Sequence, residues 1–109
     1  MTEADRDPVV RQLREQISDN DLAIVNAINK RLRLVQRLRE YKSSRGWEFV
    51  DHAREDWMLS YVTRANQGPL SGEGLREIYE ELLELTKREV AGREAEAEVA
   101  GREAEAEAS

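Results

Sequence analysis

Three cations stand on a helix face that should be apolar. Alternating steps of four and three from Val10 reach Arg14, Ile17, Asp21, Ile24, Ile28, Arg31, Val35, Leu38 and Lys42, the spacing of a seam that packs against another helix. A single charge on such a seam reads as a side chain snorkelling to the rim or pairing across an interface. Three of them, each costly if buried alone, read as groups kept for a ligand. Arg31 and Lys42 would lie about 16 Å apart along one helix, so long side chains leaning together can hold one small anion. Arg14 would lie about 25 Å from Arg31 and must serve a site completed by a second, antiparallel copy. Asp51, Arg54 and Glu55 form a second charged group, which by itself reads equally well as helix-cap electrostatics. Thr86 contributes a hydroxyl. The absence of Cys and the single histidine, His52, leave no thiolate nucleophile, disulfide or multi-ligand metal set. The constellation suits a small polyanion, with any catalysis by fixed charge and positioning and with no cofactor or metal.

Helices must position these groups. The chain has 109 residues, 37% charged and 39% hydrophobic, with six Gly, two Pro and 6% aromatic residues. That is one small domain, too poor in turn formers and aromatic residues for a sandwich or barrel. Residues 9–44 contain neither Pro nor Gly and read as one helix about 50 Å long. A globular monomer of this size would be some 30 Å across, so the helix needs a partner, most simply a second copy. After the turn SSRGWEF, Asp51 is a candidate N-cap for a second helix with Ala53, Trp57, Tyr61 and Ala65 at four-residue steps, ending near Asn66. Ser71 can cap a third, with a stripe of Leu75, Tyr79, Leu82, Leu83, Thr86 and Val90.

The ends differ from this middle. Residues 1–8 read as a flexible N-terminus, 9–90 as the helical domain and 91–109 as an acidic low-complexity tail. AGREAEAE occurs twice in that tail, which reads as a frayed helix or disordered segment. The formal net charge of −6 argues against nucleic acid or an anionic membrane as a generic partner. It conceals a basic residue 9–44 segment, with eight Lys or Arg against four Asp or Glu. No apolar run is long enough to span a bilayer and the opening MTEADRDP lacks the layout of a signal peptide, so the expected location is cytoplasmic.

The stretch LREQISDNDLAIVNAINKRLRLVQRLREYK, followed by a short turn and VDHARED, resembles the all-helical (type II) chorismate mutases over about residues 10–90. The resemblance rests on the joint order of Arg14 in LRE, Arg31 in KR, Lys42 before the turn, and Asp51, Arg54 and Glu55 in D-x-x-R-E. It implies an all-α fold of one long helix followed by two shorter ones, in an intertwined antiparallel homodimer. It also implies the intramolecular Claisen rearrangement of chorismate to prephenate, a step of aromatic amino-acid biosynthesis, without a cofactor. By the same resemblance, Arg14 of the partner copy and Arg31 would hold the substrate carboxylates. Lys42 would sit at the breaking ether oxygen, and Arg54 would order the carboxylate end. Asp51 and Glu55 would bind the ring hydroxyl, and Thr86 falls where the family often has Ser or Thr.

Where the family commonly places Gln or Glu, one turn after that hydroxyl, this chain has Val90, with Glu89 one step off the face. Either Lys42 works alone, or Glu89 reaches in, or a partner reshapes the end of the helix. Some short family members are boosted by the first enzyme of the aromatic pathway, which leaves room for an activating partner enzyme. Two other readings stand beside the mutase: an isochorismate-pyruvate lyase-like activity on the same scaffold, and a non-catalytic helical dimerisation module. His52, Trp47 and Trp57 are expected to be structural, the two Trp as core or rim packing.

Overall fold

The computed structural model describes residues 2–108, with the side chains at 93–98 and 105–108 outside the description. Helices α1 (Glu3–Arg6), α2 (Pro8–Ser44), α3 (His52–Ala65) and α4 (Gly72–Ala108) follow in that order, and no strand occurs among the described residues. The chain divides within α2, after Leu34, into two units.

In the first unit, the segment expected to be flexible begins with a capping box. Asp5 N–H faces Thr2 Oγ1, and the Asp5 carboxylate accepts from Thr2 N–H at 2.8 Å. Asp7 then caps α2: its Oδ1 accepts from the backbone N–H of Val9 at 2.8 Å and of Val10 at 3.2 Å. Pro8 fills the first helical position, where its missing N–H costs nothing. Along this part of α2 the apolar side chains are largely uncovered, with Ile17 60% and Leu22 63% exposed.

The second unit holds the end of α2 with α3 and α4, and α3 packs against α4. A paired hydrogen-bond motif closes α2. Trp47 N–H donates to Lys42 C=O at 2.9 Å and Gly46 N–H to Ser43 C=O at 3.1 Å. Gly46 makes this possible with φ +71°, a left-handed conformation that a side chain disfavours. Asp51 caps α3 as the sequence predicts, its Oδ1 accepting from Arg54 N–H at 3.1 Å. Asn66 ends α3, and Ser71 Oγ accepts from Gly74 N–H at the start of α4.

Two expectations are corrected. The third helix is not short: α4 has 37 residues, as many as α2. The two glycines at Gly92 and Gly101 each cost about 1 kcal/mol relative to Ala, and the surrounding Ala, Glu and Arg, all strong helix formers, carry the helix through them. Whether the acidic tail side chains at 93–98 and 105–108 touch anything lies outside the described residues. The inward face of α3 also differs from the aromatic stripe. Glu55, Met58, Leu59 and Val62 are partly covered, while Trp57 and Tyr61 stack on each other at 5.0 Å with about half their surface exposed. On α4 the predicted stripe holds: Leu75, Thr86 and Val90 are buried, and Tyr79, Leu82 and Leu83 are half-buried.

The positive φ at the end of α2 yields a direct expectation. Gly46→Ala should lower stability by about 1–2 kcal/mol, the cost of placing a Cβ in the left-handed region. Thermal unfolding at fixed protein concentration measures this, and an unchanged melting temperature would show that the turn does not need glycine.

Candidate functional site

The residues singled out by their chemistry fall in both units. In the first, Arg14 is exposed on α2 and its guanidinium pairs with the Asp5 carboxylate of its own chain. Asp5 belongs to the stretch that the sequence assigns to a flexible N-terminus, although Glu3, Asp5 and Asp7 preceding Arg11 and Arg14 form a visible alternation of charge. Arg14 beside it, and then hydrogen bonds from the Thr2 backbone and hydroxyl, hold the Asp5 carboxyl below its ordinary value against a small opposing effect of burial. Arg31 is half-buried further along the same helix.

In the second unit, Lys42 lies in the last turn of α2, half-buried. Its ammonium donates to the Phe49 carbonyl at 3.4 Å, which ties the helix end to the loop leading into α3. Asp51, Arg54 and Glu55 come together at the start of α3. The Asp51 side chain caps Arg54 N–H, and the Asp51 carbonyl accepts from Glu55 N–H at 3.1 Å. The Arg54 guanidinium lies over the Trp57 ring, 4.1 Å from its centre, so Trp57 packs at the rim, as one of the two expected alternatives, and orients Arg54 there. Glu55 turns toward α4: its Oε1 is 2.8 Å from Lys87 Nζ and its Oε2 is 3.5 Å from His52 Nδ1. Thr86 is buried, its hydroxyl donating to the Leu82 carbonyl at 2.7 Å.

Lys87 is the residue that sequence reasoning missed. It sits between Thr86 and Val90 and has two carboxylate neighbours, Glu55 at 2.8 Å and Glu84 at 3.2 Å. The i,i+3 spacing to Glu84 was legible; the pairing with Glu55 depends on how α3 meets α4. Val90 is fully buried and offers no polar group, and Glu89 is exposed. An open depression between the C-terminal half of α3 and the start of α4, lined by Ser60, Thr63, Arg64 and Arg76, contains none of the predicted residues.

Helices α1 to α4, with no strand among the described residues, define an all-helical protein. Residues 13–90 match the family described as chorismate mutase type II, and the chain belongs to that family. It is similar to the bifunctional chorismate mutase/prephenate dehydratase of Stutzerimonas stutzeri, 29% identical over 89 residues covering 76% of this chain and 23% of that protein. The chain therefore spans less than a quarter of that relative's length. Two solved structures of the chorismate mutase of Thermus thermophilus share its fold. Form I has a TM-score of 0.69 at 28% identity, covering 71% of this chain and 96% of that one. Form II has a TM-score of 0.71 at 27% identity, covering 75% and 93%.

The Asp5–Arg14 pair gives a pH expectation. A carboxyl whose folded-state pKa is lowered contributes stability above its unfolded value, and loses it as pH falls through the folded value. Arg14→Ala should therefore return the Asp5 titration, followed by carboxyl-carbon NMR, toward the ordinary range. An Asp5 titration unmoved by the substitution would show that the pair does not form in solution.

Proposed function

We propose that this domain is an active chorismate mutase that works as a homodimer, each site taking Arg14 from the partner copy. The observation that carries the reading is the family match across residues 13–90, which contains Arg14, Arg31, Lys42, Asp51, Arg54, Glu55 and Thr86. Dimerisation is supported by the exposed apolar side chains of α2, among them Leu13, Ile17 and Ile24, all about half exposed or more in the single chain.

The chemistry follows from what these groups can do. In the rearrangement the ether C–O bond stretches and negative charge grows on its oxygen. An ammonium already in place, that of Lys42, stabilises this charge more than it stabilises the ground state, which is the requirement for raising kcat. Its hydrogen bond to the Phe49 carbonyl holds the ammonium near α3 before substrate arrives. Arg31 with the partner's arginine would pair with the two carboxylates and fix the flexible substrate in its folded conformer. Arg54, stacked on Trp57, would order the carboxylate end. Asp51 and Glu55 are acceptors suited to the ring hydroxyl. No proton transfer to an enzyme base and no cofactor enters this scheme. The linked dehydratase of the Stutzerimonas relative points to prephenate-consuming chemistry as a neighbour, and an activating partner enzyme would act on the same site.

Loss of chorismate absorbance, with prephenate confirmed as phenylpyruvate after acid treatment, tests the reading. The purified protein should turn over chorismate, and Lys42→Ala should lower kcat by about 10²-fold or more, the scale of losing one preorganised donor to developing charge. Arg31→Ala should abolish turnover while leaving the helical signal intact. A melting temperature that collapses in Arg31→Ala would favour the dimerisation module. Release of salicylate and pyruvate from isochorismate, with no prephenate from chorismate, would assign the lyase instead.

A further inference from the structure

Beyond the residues carried over from the family, one charged group joins two helices at the candidate site. Lys87 Nζ lies 2.8 Å from Glu55 Oε1 and 3.2 Å from Glu84 Oε1, with the Lys87 side chain 27% and the Glu55 side chain 24% exposed. Glu84 is 65% exposed and belongs to the same helix face, so the cross-helix bond to Glu55 is the one that spans α3 and α4. An ordinary surface ion pair of this kind contributes little, and its position is what gives it meaning. Glu55 lies in the first turn of α3 with Arg54 and the capping Asp51, and Lys87 follows the buried Thr86.

Two physical problems of the proposed site converge here. The substrate carries two carboxylates, and Glu55 beside it is a like charge that would weaken binding. The α4 position that commonly carries a second polar group is the fully buried Val90. Glu89 is exposed and Arg88 turns to Glu81 at 3.6 Å. From this stretch of α4 it is Lys87 that brings charge to the α3 group.

We infer that Lys87 is a positioning residue: its ammonium, 2.8 Å from Glu55 Oε1, fixes the Glu55 side chain as an acceptor for the substrate's ring hydroxyl and sets a positive charge beside it against the dianion. A carboxylate has about four acceptor lone-pair sites, so one bond to Lys87 leaves capacity for the hydroxyl. The bond to Glu55 raises the Lys87 pKa, opposed by partial burial and helped by Glu84, so the ammonium persists throughout the neutral range. His52, on the other Glu55 oxygen at 3.5 Å, is 82% exposed and is the weaker partner.

The inference rests on the mutase reading, and steady-state kinetics with chorismate separate the two. Lys87→Met should raise KM about tenfold or more with a smaller change in kcat, the scale of one charge-assisted hydrogen bond. Lys87→Arg should recover most of that loss, and Lys87→Gln serves in place of the methionine variant if the latter does not fold. In a Glu55→Gln background, where no charge needs offsetting, Lys87→Met should have little further effect on kcat/KM. Active wild type with unchanged KM in Lys87→Met and Lys87→Gln overturns the role of Lys87 and leaves the mutase standing. The same is true of a KM effect that persists undiminished in Glu55→Gln. A wild type that does not convert chorismate overturns both.

Discussion

The apolar side chains along the first part of α2 must be covered by something. Val9, Leu13, Ile17, Leu22, Ile24 and Val25 are each about half exposed or more. Completing the burial of such side chains is worth about 1 kcal/mol apiece, so six together approach the net stability of a small domain, about 5–15 kcal/mol. A helix without Pro or Gly over residues 9–44 is easily formed and, in a single chain, poorly satisfied. The proposed second copy meets this constraint. In the proposed dimer, Arg14 would serve the site of the other copy. In the single chain the Arg14 guanidinium pairs with the Asp5 carboxylate.

The remaining site groups depend on helix ends rather than on helix middles. Lys42 is placed by the turn that closes α2, whose backbone Gly46 permits. Asp51 does two things at once, capping α3 and bringing Arg54 and Glu55 into its first turn. The turn glycine Gly46, the capping Asp51 and the candidate groups Lys42, Arg54 and Glu55 therefore share a short stretch of chain. This arrangement couples the geometry of the candidate site to local hydrogen bonds, while the apolar stripe of α4, from Leu75 to Val90, holds that helix with α3.

Much of this was legible in the residues. The uninterrupted run to Gly46, the caps at Asp51 and Ser71 and the stripe on α4 all follow from rules that act within a turn or two of chain. The family was legible from a resemblance, carried by the joint order of Arg14, Arg31, Lys42, Asp51, Arg54 and Glu55 along the chain. What was not legible is what depends on summed propensity or on packing. The repeat around Gly92 and Gly101 read as a frayed helix or a disordered tail, and the helix formers around the two glycines carry α4 to Ala108. Trp57 and Tyr61 read as a stripe of α3 because they fall with Ala53 and Ala65 at four-residue steps. They satisfy each other and Arg54 instead, and smaller Leu59 and Val62 turn inward. Lys87 was unremarkable until α3 and α4 met, because nothing in its own neighbourhood points to Glu55.

The most direct test of the central claim, a site shared between two copies, is complementation between two inactive variants. Arg14→Ala and Lys42→Ala chains, each without activity alone, are co-expressed or refolded together and assayed for chorismate turnover. Random pairing makes half the dimers mixed, and each mixed dimer has one site with both cations intact, so the mixture should recover about a quarter of wild-type activity. A mixture as inactive as its parents, although mixed dimers form, would contradict the shared site.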